Sequence, residues 1–355
     1  MSELRATLVT PLSGPLAGFG RATAAALELW VAEAADLPGR FQRARLDLQD
    51  AHPDPAAAVR RGLASRPHLL FGPYGSGPTL AVLGATQRAI WNHGGAVSSI
   101  RWPVFPGVVN VLSPASSYFR GILEVVRSVE PEQGQRVAIL HGSSGFAADV
   151  ARGAVDWAVR LGFETTAIPF SRGEAAHVAS RVPDADILLL AGGFEDELAA
   201  ARVLLARKWR AVGCVGAGVE EVLASLGPAR EGLLGPSQWM ADAAPAPNEG
   251  PDARWFERRY RSITGENPPY PAAQAIAAGL LAARCLRETQ ALQDAALLAA
   301  ARRLACRTLY GEFRLDPATG LQVGHQVLTV QWQNGRRRTV WPPTRAERPL
   351  AYPRV

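Results

Sequence analysis

The residues with the most chemical promise lie in the stretch GPYGSGPTLAVL, 72–83. An apolar run, HLLF, leads into a turn of Gly, Pro, Tyr and Ser, and a hydrophobic segment follows. That order reads as a strand, a tight turn and a helix N-terminus, where backbone N–H groups without an intrahelical partner can hold an anion. What surrounds it limits what happens to the anion. No GK[ST] occurs anywhere, so the turn is not a P-loop. GCVGAG, 213–218, lacks the GxGxxG spacing and no acidic residue closes a following strand, which leaves little for a dinucleotide. A nucleophile elbow needs glycine two places before and two after its serine. Around Ser76 the first place is Tyr74, and around Ser144 the second is Phe146. The six histidines, His52, His68, His93, His141, His177 and His325, have no metal-ligand spacing. His141 stands directly after an apolar strand, yet it has no partner in sequence and reads as structural. Cys214, Cys285 and Cys306 are odd in number and lack CxxC spacing, so a metal site is not expected, and at most one disulfide, Cys285–Cys306, is. No catalytic residue, metal or cofactor is expected.

The elements that must carry the turn alternate strand and helix. RATLVT reads as a strand and GRATAAALELWVAEAAD as an amphipathic helix. ARLDLQD is a second strand; Asp54 N-caps the next helix, with Pro55 at its first position. HLLFG and its helix follow, then AVSSI as a strand. A second series runs through RVAILHG, the helix AADVARGAVDWAVRLG, FETTAIPF, DADILLLAGG and RAVGCVGAG. This is the pattern of two doubly wound parallel sheets, an α/β fold. From about residue 240 the rhythm changes to a loop, two helices (DARWFERRYRSITG and AAQAIAAGLLAARCLRE) and a β-rich end, with Asn334–Gly335 as a hairpin turn.

Composition agrees with a large buried core. The chain has 355 residues, 48% hydrophobic and 20% charged, enough for two domains. The formal net charge is +6, but the basic residues are scattered, and aromatic residues do not alternate with them along a strand, so no nucleic-acid partner is expected. No run of 18 apolar residues predicts a membrane span. MSELRATLVTPLSG goes straight into a strand pattern without a charged n-region and an apolar h-region. The expectation is either a cytoplasmic protein starting at Met1 or a mature segment whose signal peptide has been removed.

LVTPLSGPLAGFGRATAAALELWVAEA, LDLQDAHPDPAAAVRRGLA and FGPYGSGPTLAVLGATQRA resemble the first three βα units of the leucine/isoleucine/valine-type periplasmic binding proteins, the type 1 solute receptors of ABC transporters. The likeness continues through RVAILHGSSGFAADVARGAVDWAVRLGFE, DADILLLAGGFEDELAAARVLLARKW and GEFRLDPATGLQVGHQVLTVQWQNGR. The resemblance implies two Rossmann-like lobes joined by three crossovers, residues 1–118 with 241–323 and residues 119–240 with 324–355. It implies a small ligand held in the interlobe cleft by hinge closure, an ABC permease as partner, no enzymatic activity and a periplasmic location. A cytoplasmic ligand sensor of the same fold, of the amide-sensing type, is the alternative.

The resemblance also implies site residues. The turn at Tyr74, Ser76 and Gly77 grips a carboxylate, and Phe19 caps the ligand. Ile100, Arg101 and Trp102 stand where relatives carry small residues, a large departure; Arg101 would either provide a carboxylate contact or point to solvent, and Trp102 would fill much of the cleft or stack on a flat ligand. Phe146 takes the place of a tyrosine of the second lobe, and Phe194 aligns with another aromatic there. Ala217 replaces the acidic residue that meets the α-ammonium in amino-acid receptors. The expected ligand has a carboxylate or other acceptor group, an apolar or aromatic body and no free α-ammonium, aromatic carboxylates first and short amides second.

Overall fold

The computed structural model describes residues 2–132 and 134–354. The chain divides into two compact units, Met1–Ser113 with Ala244–Gln326, and Pro114–Ala243 with Val327–Val355. Each is a mixed α/β unit built on one main sheet.

In the first unit β1 (Ser2–Thr10) leads into α1 (Ala17–Leu29), continued by a π-helical turn, Trp30–Ala34. Then come β2 (Phe41–Asp50), α2 (Pro55–Ala64), β3 (Leu69–Phe71), α3 (Ser76–Ala85), β4 (Ile90–Asn92) and β5 (Val108–Asn110). The Asp54 side chain accepts from the Ala57 N–H, and Pro55 opens α2, as the sequence predicts. The sheet order is β2-β1-β3-β4-β5, every pair parallel. AVSSI, expected as a strand, is instead loop. The strand stops earlier, at Asn92, because that side chain hydrogen-bonds the Gly94 and Gly95 N–H groups and turns the chain out of the sheet.

The second unit opens with α4 (Arg120–Val129), then β6 (Arg136–Gly142), α5 (Gly145–Arg160), β7 (Glu164–Phe170) and α6 (Ala175–Ala179). It continues with β8 (Ile187–Ala191), α7 (Phe194–Leu204), β9 (Ala211–Cys214), a 3-10 turn at Val215–Gly218 and β10 (Leu234–Ser237). The chain then returns to the first unit for α8 (Ala253–Thr264), α9 (Tyr270–Thr289), α10 (Asp294–Arg303) and the small pair β11 (Cys306–Thr308) and β12 (Gly311–Phe313). Alanine-rich α9 is buried along most of its length; Gly279 lets it lie against Trp30. The last hairpin, β13 (Leu328–Gln333) and β14 (Arg336–Trp341), extends the second sheet to the order β14-β13-β10-β9-β8-β6-β7. Asn334 and Gly335 both have positive φ, the type I′ signature the Asn-Gly pair predicts. All three cysteines are free thiols. Among the described residues no helix is long and apolar enough to cross a membrane.

Candidate functional site

In the first unit the expected residues follow the C-terminal ends of three neighbouring strands, β1, β3 and β4, where open α/β sheets hold ligands. Gly75 takes φ +99°, a backbone that side chains rarely adopt, and its N–H donates to the Gly94 carbonyl at 3.0 Å. Behind it the Thr79 hydroxyl lies 2.9 Å from the Gly75 carbonyl and 3.1 Å from that of Pro73.

Ser76 opens α3, and its hydroxyl oxygen accepts from the Ala96 and Val97 N–H groups at 3.1 and 3.2 Å. A hydroxyl has two acceptor lone pairs and one proton. With both lone pairs engaged, the proton is what Ser76 can offer a ligand. The Ser76 and Gly77 N–H groups find no acceptor among the described residues, Pro78 has no N–H, and the Thr79 N–H closes on the Gly75 carbonyl. The turn therefore offers two N–H groups and one O–H at a helix N-terminus, a donor set suited to the two oxygens of a carboxylate.

Phe19 stacks on Tyr74, ring centroids 4.7 Å apart and planes 17° from parallel. The Tyr74 hydroxyl makes a short hydrogen bond with that of Tyr270, the first residue of α9. The structure thus brings Phe19, Tyr74, Ser76 and Gly77 together and adds Tyr270. Ile100 and Trp102 are taken up by their own unit. Ile100 is 1% exposed in the core with Val97, Leu83 and Val108. Trp102 donates from its indole N–H to the Val108 carbonyl at 2.8 Å and lies under the Arg302 guanidinium, so much of its ring covers its own unit. Arg101 is exposed.

In the second unit Phe146, Phe194 and Ala217 follow β6, β8 and β9, again adjacent strands. Phe146 meets Tyr118 edge-on, centroids 5.7 Å apart, and the Tyr118 hydroxyl accepts from the buried Gln238 amide. Phe194 is the first residue of α7 and half-buried. Ala217 is fully buried, its carbonyl accepting from the Trp332 indole N–H at 3.0 Å. Between the last two loops sits Glu197. One carboxyl oxygen accepts from the Gly192 N–H at 3.0 Å, the other from the Gly216 N–H at 2.7 Å. Burial pushes this carboxyl up to about 8, against the two N–H bonds that favour its ionised form.

The periplasmic binding protein family model matches residues 3–337 of this chain. The chain belongs to the periplasmic binding protein family. Members are solute-binding receptors rather than enzymes, and the two-unit α/β architecture is theirs. Among solved structures, a leucine binding protein from Thermotoga maritima MSB8 is 16% identical with a TM-score of 0.78, covering 95% of this chain and 97% of its own. A solute-binding protein of an ABC transporter from R. palustris, solved with benzoate, is 18% identical with a TM-score of 0.74, covering 100% and 98%. Another from R. palustris, solved with 4-hydroxybenzoate, is 17% identical with a TM-score of 0.78, covering 95% of each.

Glu197 gives this family member a pH dependence that the sequence did not foretell. Its folded value, about 8, is above the ordinary 4.5, so between those values the unfolded chain loses a proton that the folded chain keeps. The Glu197 contribution to stability therefore falls as pH rises through that window, by up to about 1.4 kcal/mol per pH unit, while His93, held down to about 4 by burial, contributes the opposite slope below about 6.5. In urea unfolding at pH 5, 6.5 and 8 the wild type should lose stability between pH 6.5 and 8, and its stability relative to Glu197→Gln should decline across all three. Equal slopes in the two proteins would show that Glu197 does not titrate in this range.

Proposed function

We propose that this receptor binds a small carboxylate-bearing solute at the Ser76 turn, outside the cytoplasm, for delivery to an ABC permease. The observation that carries the reading is the donor set of that turn: a serine hydroxyl with both lone pairs engaged, beside two N–H groups at the start of α3. Such a site binds and releases an anion without transforming it. The Phe19–Tyr74 stack beside it favours an aromatic body, so aromatic carboxylates come first and short amides second. Phe146, Phe194 and Ala217 are proposed as further ligand contacts. The benzoate and 4-hydroxybenzoate in the two R. palustris structures are consistent with this ligand class.

Calorimetry with benzoate tests the reading. The wild type should bind it, and Ser76→Ala should weaken it by about 1.5–3 kcal/mol, as for a lost hydrogen bond to a charged group. The thermal midpoint without ligand should fall as well, because the Ala96 and Val97 N–H groups lose their acceptor. Unchanged affinity in Ser76→Ala would remove the turn from the site.

A further inference from the structure

We propose that Asn92 and Asn110 are positioning residues that fix the direction of the Ser76 hydroxyl; the inference rests on the reading that the Ser76 turn holds the ligand. The two asparagines end neighbouring parallel strands, β4 and β5, directly opposite each other in register. Both are buried. The Asn92 amide group donates to the Asn110 side-chain oxygen and to the Gly95 carbonyl, each at 2.8 Å, while its own oxygen accepts from the Gly95 and Gly94 N–H groups at 2.8 and 3.3 Å. The Asn110 amide group donates to the Ile100 carbonyl at 2.9 Å and the Gly320 carbonyl at 3.0 Å. The pair therefore clamps the loop after β4 at both ends, Gly94–Gly95 and Ile100.

Between the clamped ends lie Ala96 and Val97, whose N–H groups occupy the lone pairs of Ser76. Gly94, Gly95 and Ala96 have little or no side chain with which to anchor this stretch. The asparagine amides supply that anchoring, with every donor and acceptor of Asn92 engaged, the kind of fully satisfied buried network that specifies one arrangement. The serine proton points outward because the loop is held, and the loop is held from the strand ends beneath it. Asn92 and Asn110 need not touch the ligand to set its affinity.

Amide hydrogen exchange in the unliganded protein and benzoate titration together test this. Asn92→Ala should speed exchange at Ala96 and Val97 at least tenfold and weaken benzoate at least tenfold. In a Ser76→Ala background the same change should weaken benzoate less than twofold further, because a residue acting through Ser76 has nothing left to act on. Unchanged exchange at Ala96 and Val97, or a full tenfold loss on top of Ser76→Ala, would overturn the proposal. Should Asn92→Ala not fold, Asn110→Ala releases the Ile100 end and the Asn92–Asn110 bond but leaves Asn92 on Gly94 and Gly95, and is read in the same way. The wild type alone supplies a third reading. The Asn92 side-chain amide protons should exchange no faster than the Ala96 and Val97 amides, and faster exchange would show that the loop holds without the pair. A wild type that binds neither benzoate nor 3-phenylpropionate sinks the reading of the site, while the exchange measurements still decide the clamp.

Discussion

Titrated side by side, 3-phenylpropionate is expected to bind this receptor and phenylalanine to bind at least a hundredfold more weakly, a gap of about 2.7 kcal/mol or more. The two differ by one ammonium. Taking that charge out of water without an opposite charge costs several kcal/mol. The carboxylates near the strand ends are either committed elsewhere or exposed. Glu197, beside the Ala217 loop, has both oxygens on backbone N–H groups and is held largely neutral at pH 7 by burial. Glu220 pairs with Arg337 at 3.0 Å, while Glu195 and Glu221 are exposed. In the first unit Asp50 is ionised, held down at about 2, but it already accepts from the Ser13 hydroxyl and the Leu12 and His52 N–H groups. Ala217 itself offers only a methyl group and a carbonyl that is bonded to Trp332. Micromolar binding of phenylalanine, leucine or valine, with no binding of their deaminated partners, would sink the ligand class.

How much of this was legible in the sequence depended on whether the signal was local. The Ser76 turn could be read because strand, Gly-Pro turn and helix start follow one another within a dozen residues. Asp54 with Pro55, and Asn334 with Gly335, were readable for the same reason. The strand expected at AVSSI was misplaced because its residues have β-propensity, while the element that ends the strand is one side chain, Asn92, reaching back to Gly94 and Gly95. A trace of the clamp was present: the apolar runs AIWN and GVVN both end in asparagine. Only the parallel pairing of β4 with β5 shows that the two meet. Tyr270 is far from Tyr74 in sequence, and no local pattern joins them. Glu197 could not be told from Glu195 and Asp196 in the same helical turn, since only the fold decides which of them faces the interior. The large side chains of Ile100 and Trp102 looked like ligand contacts by alignment, whereas the core and the Val108 carbonyl take them up.

Gly94→Ala should destabilise the protein by about 1–3 kcal/mol, as overpacking of a well-filled interior does, and should weaken ligand binding with it. A methyl carbon at Gly94 would lie 2.4 Å from the Tyr74 Cα and 2.6 Å from the Pro73 carbonyl oxygen. Those are backbone atoms of the turn after β3, and no rotamer change moves them aside. The two segments must therefore part. Parting them stretches the bond from the Gly75 N–H to the Gly94 carbonyl and draws the Ala96 and Val97 N–H groups away from Ser76. Stability and affinity fall together because one close approach serves both. Gly77→Ala is the contrasting case. A methyl carbon there meets nothing within 4 Å, and alanine suits a helix better than glycine, so this variant should be as stable as the wild type or up to about 1 kcal/mol more so. Urea unfolding and benzoate calorimetry on the two variants separate the effects. A Gly94→Ala protein with wild-type stability and affinity would mean that the turn and the loop are not in contact as described.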